Sequence, residues 1–525
     1  MSNKETSMNI PKEKFAFVQM GERLSDQKFE DKPIGYFKDA WIRFCKNKGS
    51  IVAGIIIVLI ILYALLVPLI SPMKTTFMDV YYAKKGPRNL FLSQYGIATG
   101  TVDRNFNEAG LIRAVAIGVG AEDKDGTGTV TVAEGLKSAY QPMKQIGEGK
   151  EVTETKGAKP KTIYAGTIET YLEVGFMYMS VKQDEYARIV AWQEETGLQV
   201  LYPLVEANEY NMDSADANYW YKSKKGTPVT VSDSGKATKM AYSEDLVLED
   251  NYKRDSDGNP IYYEYTGGGD VNTAQYKIRV LYYNYYQYKN GFEPQYIFGT
   301  DAQGYDLALR MATGLQLSLV LSVCVSAINL VIGAIYGAIE GYYGGAVDLI
   351  MERISDILYD MPFIVVATLF QMHLAKKVGA LPSLIFAFVV TGWISTASRT
   401  RTQFYRFKNQ EYVIAARTLG AKDWRIIWKH IFPNALGTII TSSVLVIPGV
   451  ISSESMLSYL GIVKLGTATR TSLGTLMADA SSIWTNYPHL MIYPALVLSL
   501  LMICFNLFGN GLRDAFNPSL RGVEE

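Results

Sequence analysis

The stretch EYVIAARTLGAKDWRIIWKHIFPN, residues 411–434, decides how the chain is read: it is water-facing and helix-compatible, yet lies between two apolar runs long enough to cross a bilayer. In residues 411–419, Tyr412, Ala415, Ala416 and Leu419 fall on one side at helical spacing. The two alanines keep that side shallow, so a partner backbone can come close. Gly420 is placed to end this helix in the left-handed conformation that glycine tolerates best. Beyond it, Trp424, Ile427, Trp428 and Ile431 repeat with helical period while Lys422, Arg425 and Lys429 occupy the rest of the wheel, the composition of a helix lying in a membrane interface. Pro433 is expected to stop this second helix and Asn434 to turn the chain into the next apolar run. The segment reads as a connector that meets a partner protein. On periodicity alone, a plain interfacial helix that fixes topology is the alternative.

Outward from this segment, residues 51–70 form an apolar run of about 20 residues, enough at about 1.5 Å per residue to cross a hydrocarbon core of about 30 Å. Arg43, Lys46 and Lys48 precede it, which predicts an N-terminus in the cytoplasm. Further runs cover 315–339, 357–374, 381–397, 435–457 and 488–508. Six spans with both termini inside is the simplest count. It gathers Arg399, Arg401, Arg406, Lys408, Arg417, Lys422, Arg425 and Lys429 in one inner loop, residues 398–434, as the orientation rule expects. Lys376 and Lys377 would lie outside, and the inner loop after the second span is acidic through Glu340, Asp348, Glu352 and Asp356. Acidic residues weigh little in that rule.

The organisation expected is a cytoplasmic tail over 1–50, a first transmembrane helix over 51–70, a domain over 71–293, a helical core over 294–510 and a cytoplasmic tail over 511–525. At roughly 220 residues, the block between the first two spans is the size of a domain. It should fold outside the membrane as a mixed α/β or β-rich body. Strand-like content appears at 129–133 (TVTVA) and 276–289 (YKIRVLYYNYYQYK), with turn clusters DKDGTG at 123–128 and TGGGD at 266–270. Its many tyrosines suit either a recognition surface or, more simply, a packed sheet face.

Several chemistries find no footing. Of 525 residues, Lys plus Arg and Asp plus Glu each number 51, so no net charge argues for nucleic acid. Cys45, Cys324 and Cys504, and His373, His430 and His489, are scattered without metal-ligand or disulfide spacing. Asp255, Asp257, Gly258 and Glu264 match part of a calcium loop, but Lys253 stands at its first position, and Asp123, Asp125 and Gly126 fail at both ends; tight turns explain both. GEGKEV at 147–152 lacks the spacing of a phosphate-binding loop. Neither a catalytic constellation nor a bound cofactor is expected in this chain.

The combination of Glu411, Ala415, Ala416, Gly420, Pro433 and Asn434 resembles the "EAA" loop through which membrane subunits of bacterial ABC importers receive force from their ATPases. The core outside the inserted block is similar to the C-type permease subunit of oligopeptide and dipeptide importers. FGTDAQGYDLALRMATGLQLSL at 298–319 resembles that family's FGTDxxGRD segment, with Tyr305 where an Arg is usual. Thr300 and Gln303 there also suit a capping box. GYYGG at 341–345, ILYDMPF at 357–363, ESMLSYLG at 454–461 and NLFGNGLRDAFNPSLR at 506–521 carry the likeness further. It lapses at IVKLGTATRTSLG, residues 462–474, and in the inserted block.

The resemblance implies a type I ABC importer permease fold with six transmembrane helices, in the bacterial cytoplasmic membrane. It implies pairing with a second permease in a heterodimer, with two ABC ATPases that hold ATP and Mg, and with an extracytoplasmic solute-binding protein delivering peptides. ATPase coupling would fall to Glu411, Ala415, Ala416, Leu419, Gly420, Trp424, Pro433 and Asn434. Glu454, an acid near the outer end of a span, and Ser458 are candidates for the translocation pathway. For Glu454, a carboxylate simply hydrogen-bonded at the membrane boundary is the alternative. Rival functions are a permease for nickel or a metal chelate and a membrane-anchored receptor whose outer domain does the binding.

Overall fold

A computed structural model describes residues 36–516 apart from 129, 153–160, 210–213, 233, 268–273 and 468–469. The expected tails over 1–50 and 511–525 therefore lie partly outside the described residues, as do residue 129 of the TVTVA stretch and 268–270 of the TGGGD cluster. Among the described residues, five helices are long and apolar enough to cross a membrane: Lys48–Ile70, Leu307–Tyr343, Ala380–Phe407, Asp423–Tyr459 and His489–Phe516. A bent pair of helices makes a sixth if it counts as one span. Gly345–Tyr359 and Phe363–His373 meet at 73°, so the run expected as one helix over 357–374 is divided ahead of Pro362, whose ring disfavours helical backbone at Met361.

Leu307–Tyr343 is the central helix. Gly333, Gly337 and Gly341 line one stripe of it and let the fourth span pack backbone to backbone; a methyl group on Gly337 would lie 2.1 Å from the Ala397 carbonyl oxygen. The first span is tied in by polar groups that hydrocarbon would otherwise strand: Tyr63 donates to the Ala308 carbonyl at 2.7 Å, and Gln316 to that of Ala64 at 2.6 Å. Ser50 donates to the Leu507 carbonyl at 3.0 Å, joining the first span to the last. Within the expected N-terminal tail, Tyr36–Lys46 is a helix that buries Ala40 and Phe44, the latter edge-on to Phe508 at 5.4 Å.

Between the first two spans the chain builds a mixed α/β body. One antiparallel sheet sets Lys161–Glu169 between Thr101–Asn107 and Met143–Val152. In a second, Gln275–Leu281 pairs antiparallel with Phe176–Lys182, Leu201–Tyr202 and Tyr263–Gly267. Helix Glu108–Glu122, capped by Asn107, is buried from Leu111 to Ala121 except at Arg113 and accepts the Trp220 indole N–H at the Ala116 carbonyl. Two stretches expected as strands are helical in part. Residues 282–290 form a helix that buries Tyr282, Tyr283 and Tyr286, and Val132–Gly135 is a turn of helix closed by a Thr131–Glu134 capping box.

The body is joined to the membrane core by tyrosines. Tyr82, Tyr171, Tyr282, Tyr286 and Tyr296 cluster with Met73 and Leu309. The Tyr282 hydroxyl lies 2.8 Å from both Asp79 oxygens, and Arg88 reaches Glu169 at 3.0 Å and the Tyr283 hydroxyl at 2.9 Å. Burial raises the Asp79 carboxyl above its usual range in spite of these donors. Backbone bonds complete the joint, Asp79 N to Gly304 O and Lys84 N to Asp301 O, each at 3.0 Å. The helix start expected at Thr300 lies instead at Asp306, which caps Leu307–Tyr343 through Ala308 N at 2.9 Å. Thr300 spends its hydroxyl on the Tyr82 carbonyl and Lys85 N. Tyr305 stacks under the Arg310 guanidinium at 3.9 Å, and Arg310 pairs with Asp301 at 3.2 Å.

Candidate functional site

The fourth span does not end near Ala397; it continues to Phe407 and carries Arg399, Arg401 and Arg406 on its last turns. After a short bend, residues Glu411–Thr418 form a helix with Glu411 in its first turn and Arg417 in its last, both favourable to the helix dipole. It ends as expected at Gly420, whose φ is +82°. Ala421 N bonds back to Ala416 O, and Gly420 N to Arg417 O, both at 3.0 Å, so the freed carbonyls are satisfied by the glycine-dependent reversal.

The second half differs from the sequence expectation. Asp423–Arg425 leads through a π-helical stretch, Ile426–Ile431, directly into Phe432–Val444. Pro433 does not stop the helix. It occupies the first turn of Phe432–Val444, where its missing N–H costs little, and the wider π turn before it accommodates the ring. Connector and fifth span are thus one helical rod, Asp423–Tyr459. The apolar stripe divides as well. Ile427 and Ile431, joined by Ile426, pack with Val413 against Phe404, Ala338 and Tyr342, while Trp424 stays out and meets Trp428 edge-on at 5.3 Å. The buried isoleucines face the helix bundle and not a lipid interface.

Polar contacts fasten the segment at its corners. The Tyr342 hydroxyl, on the last turn of the second span, donates to Asp423 at 2.5 Å, and the Arg417 guanidinium lies 5.8 Å from the same ring. Asn434 donates to the His430 carbonyl at 2.8 Å and to the Tyr412 hydroxyl at 3.3 Å, linking the two helices across the glycine. What remains outward is a corner. Leu419 is 88% exposed and Trp424 70%, flanked by Tyr412, Ile414 and Ala415. Ala416 is half-buried, and Glu411, Gly420, Pro433 and Asn434 are exposed or half-exposed. The structure therefore brings the eight expected coupling residues into one outward-facing unit supported from beneath by a packed apolar floor.

Beside this unit lies a feature the sequence reading missed. Arg401 reaches both oxygens of Asp348 at 2.6 and 2.8 Å and both of Glu352 at 2.8 and 3.1 Å, with Glu340 3.6 Å away. The Tyr405 hydroxyl also meets Asp348. Asp348 and Glu352, acids of the loop after the second span, are thus paired with a basic residue of the fourth. Only the coexistence of an acidic and a basic block hinted at it, since no local spacing connects residues about 50 positions apart.

The candidate pathway residues sit elsewhere. Glu454 and Ser458 are buried, 0% and 2% exposed. Ser318 and Ser458 donate to the two Glu454 oxygens at 2.8 and 2.9 Å, with Ser455 at 3.4 Å. Helix Leu473–Ala480, capped by Ser472, folds back beside this carboxylate; a methyl on Gly474 would lie 2.3 Å from the Ser455 carbonyl oxygen. In this conformation Glu454 is enclosed and satisfied by hydroxyls. The two calcium-loop candidates are turns: Asp255 accepts from the backbone of Asp257 and Asn259, Lys253 pairs with Glu264, and Asp123 accepts from Thr127 and Gly128.

Residues 329–522 match the family model of the binding-protein-dependent transport system inner membrane component, and residues 35–87 match that of the N-terminal TM domain of oligopeptide transport permease C. The oligopeptide transport system permease protein OppC of Bacillus subtilis is 42% identical over 225 residues, 43% of this chain and 72% of that protein. The dipeptide transport system permease protein DppC of Lactococcus lactis is 40% identical over 225 residues, 43% of this chain and 64% of that protein. DppC of B. subtilis is 40% identical over 226 residues, 43% and 69% of the two chains. The residues between the two family matches include nearly all of the inserted α/β body. The chain belongs to the C-type permease subunits of oligopeptide and dipeptide ABC transport systems, multi-pass membrane proteins with a type I permease core.

Proposed function

We propose that this chain is one transmembrane half of a peptide importer. It shares the translocation pathway with a second permease and is driven by two ABC ATPases, while an extracytoplasmic solute-binding protein presents oligopeptides or dipeptides at the opposite face. The basic end of the bundle, with residues 398–434, lies in the cytoplasm together with both termini, and the inserted α/β body lies outside. No covalent chemistry is asked of the chain; ATP and Mg bind to the partner ATPases. The similar proteins named for oligopeptide and dipeptide transport support the substrate class.

The observation that carries the reading is the exposed corner at Leu419 and Trp424 on a floor of buried isoleucines. An ATPase cleft gripping the corner acts on three spans at once: on the fifth through the rod that begins at Asp423, on the second through Tyr342, and on the fourth through Phe404. Alternating access follows if closure of the ATPases tilts this rigid unit.

Purification of the tagged chain in mild detergent tests the reading, wild type beside Gly420→Pro. Recovery of two P-loop ATPases and a second permease with wild type, and loss of the ATPases with the variant, supports it. A wild-type chain that brings down no ATPase while still folded gives precedence to a receptor whose outer body is the working part.

A further inference from the structure

A cleft of about 760 Å³ separates the inserted body from the outer end of the last span. Its walls are residues 83–87 and 101–104 on one side and residues 485–489 on the other, with Thr170 between. Lys84, Lys85, Arg104 and His489 line it. Arg104 is engaged by Glu173 at 2.7 Å, and the wall carboxylate Asp103 by the Thr167 hydroxyl at 2.5 Å. Lys84 and Lys85 have no carboxylate in ion-pair contact among the described residues; the Lys84 ammonium lies 5.8 Å from the Tyr487 ring. Burial holds the Lys85 ammonium below its usual range, against the raising influence of Glu173 and Asp79. The cleft lining carries the cationic side chains Lys84, Lys85 and Arg104 against one carboxylate, Asp103.

The chain leaves this wall at Pro87 and returns at Thr101. Between them it makes a closed loop. Asn89 N bonds the Ala98 carbonyl at 2.9 Å across the neck, and the Asn89 side chain caps the short helix Leu90–Ser93. Ala98 has φ +52°, a left-handed conformation that an alanine seldom adopts. The loop that results points apolar side chains outward: Phe91, Tyr95 and Ile97 are 66%, 69% and 60% exposed, and the first two stack edge-on at 5.8 Å. Its base is pinned to the membrane core, with Arg88 N on the Tyr296 carbonyl at 2.9 Å, and Gly299 lies against His489, the first residue of the last span. An apolar, aromatic tip beside a cationic cleft at the level of a span's first turn is the composition of an interfacial lipid anchor.

We propose that residues 89–98 and the cleft at their base bind an acidic phospholipid of the outer leaflet, the loop tip among the acyl chains and the headgroup phosphate beside Lys84 and Lys85. The inference rests on the outward placement of the inserted body proposed above, but its test does not read transport. The loop lies beyond the N-terminal family match, which ends at residue 87 and includes Lys84 and Lys85, so the device combines the matched segment, the inserted body and the first turn of the last span.

The test uses the full chain in nanodiscs of phosphatidylcholine with phosphatidylglycerol. Native mass spectrometry of the lipid retained by wild type should show enrichment in phosphatidylglycerol, and Lys84→Glu, a change of two charges, should lower that preference more than about fivefold, the effect of one basic residue at an anionic surface. Lys84→Gln, which keeps the size of the side chain, should give a smaller loss, with an unchanged melting temperature in pure phosphatidylcholine showing that the fold is intact. Tyr95→Trp should add fluorescence, relative to the parent, that brominated phosphatidylcholine quenches and aqueous iodide does not. Equal lipid preference in wild type and both Lys84 variants overturns the proposal, as does a signal from the introduced indole that only iodide quenches. Suppression of the preference by inorganic phosphate assigns the cleft to free anions, and a loop shielded only when a solute-binding protein is added assigns it to that protein; either result also overturns it.

Discussion

The hydroxyl of Tyr342 lies 2.5 Å from a carboxylate oxygen of Asp423, joining the last turn of the second span to the first residue of the rod that becomes the fifth. This bond makes the outward corner part of the bundle and not an appendage of one helix. A charge-assisted bond of this kind is worth about 1.5 kcal/mol, so Tyr342→Phe should reduce peptide uptake by about tenfold. Because Tyr342 is not on the exposed corner, the ATPases should still co-purify. Uptake in proteoliposomes, normalised to bound ATPase, checks the separation of grip from transmission.

At the corner itself, Gly420→Ala should cost about 1 kcal/mol, because its φ of +82° is one that a side chain disfavours although open space surrounds the position. Gly420→Asn should be milder and Gly420→Pro abolish uptake. The order Asn, Ala, Pro in residual uptake, with equal amounts of protein in the membrane, is the expected outcome. Ala416→Trp should also abolish uptake, since it fills the shallow side of the same helix.

Arg401 holds Asp348, Glu352 and Glu340 together at the end of the fourth span that leads into residues 411–434. Arg401→Gln leaves these acids unpaired and should destabilise the chain by about 2 kcal/mol, discounted from a fully buried pair because the site is partly open to water. Arg401→Lys should recover only part of the loss, as an ammonium cannot serve two carboxylates bidentately. Thermal unfolding in detergent at low and high salt measures both effects, and the wild-type advantage should shrink with salt.

Asp306 gives a pH dependence at the joint. Burial lifts its carboxyl from the ordinary value of 3.8 to about 6, outweighing the backbone donors Ala308 and Leu309, with Asp301 adding to the rise. The folded chain thus holds this proton more tightly than the unfolded one, so stability from this group is greatest below pH 3.8, declines between about 4 and 6, and is flat above. Asp306→Asn keeps the helix cap through its side-chain oxygen while removing the charge. It should raise the melting temperature at pH 7 and flatten the slope between pH 4 and 6.

How far the fold was legible in the sequence depends on the range of the interaction. The apolar runs of the first, second and last spans are legible from length and composition alone, and the Ala–Ala–Gly spacing at 415–420 specified a helix and its reversal because both are local. Pro433 misled because its effect depends on whether it falls in a helix's first turn, and the π stretch that shelters it has no simple sequence signature. The run at 357–374 misled because hydrophobicity reports length in lipid but not direction. In the inserted body, tyrosines at 282–288 pattern as strand or helix until their buried neighbours are known. The Arg401 cluster and the Tyr342–Asp423 bond join distant parts of the chain and were beyond any local pattern.

The most direct test of the central claim places a photo-crosslinking amino acid at Leu419 and, separately, at Trp424, in cells that express the whole transport system. Leu349, an exposed apolar residue on the helix beside the Arg401 cluster, serves as the control. Adducts with a P-loop ATPase from positions 419 and 424 but not from 349, identified by mass spectrometry, are what the account predicts. Efficient crosslinking from 419 and 424 to lipid or to other proteins, with no ATPase adduct from either, would contradict it.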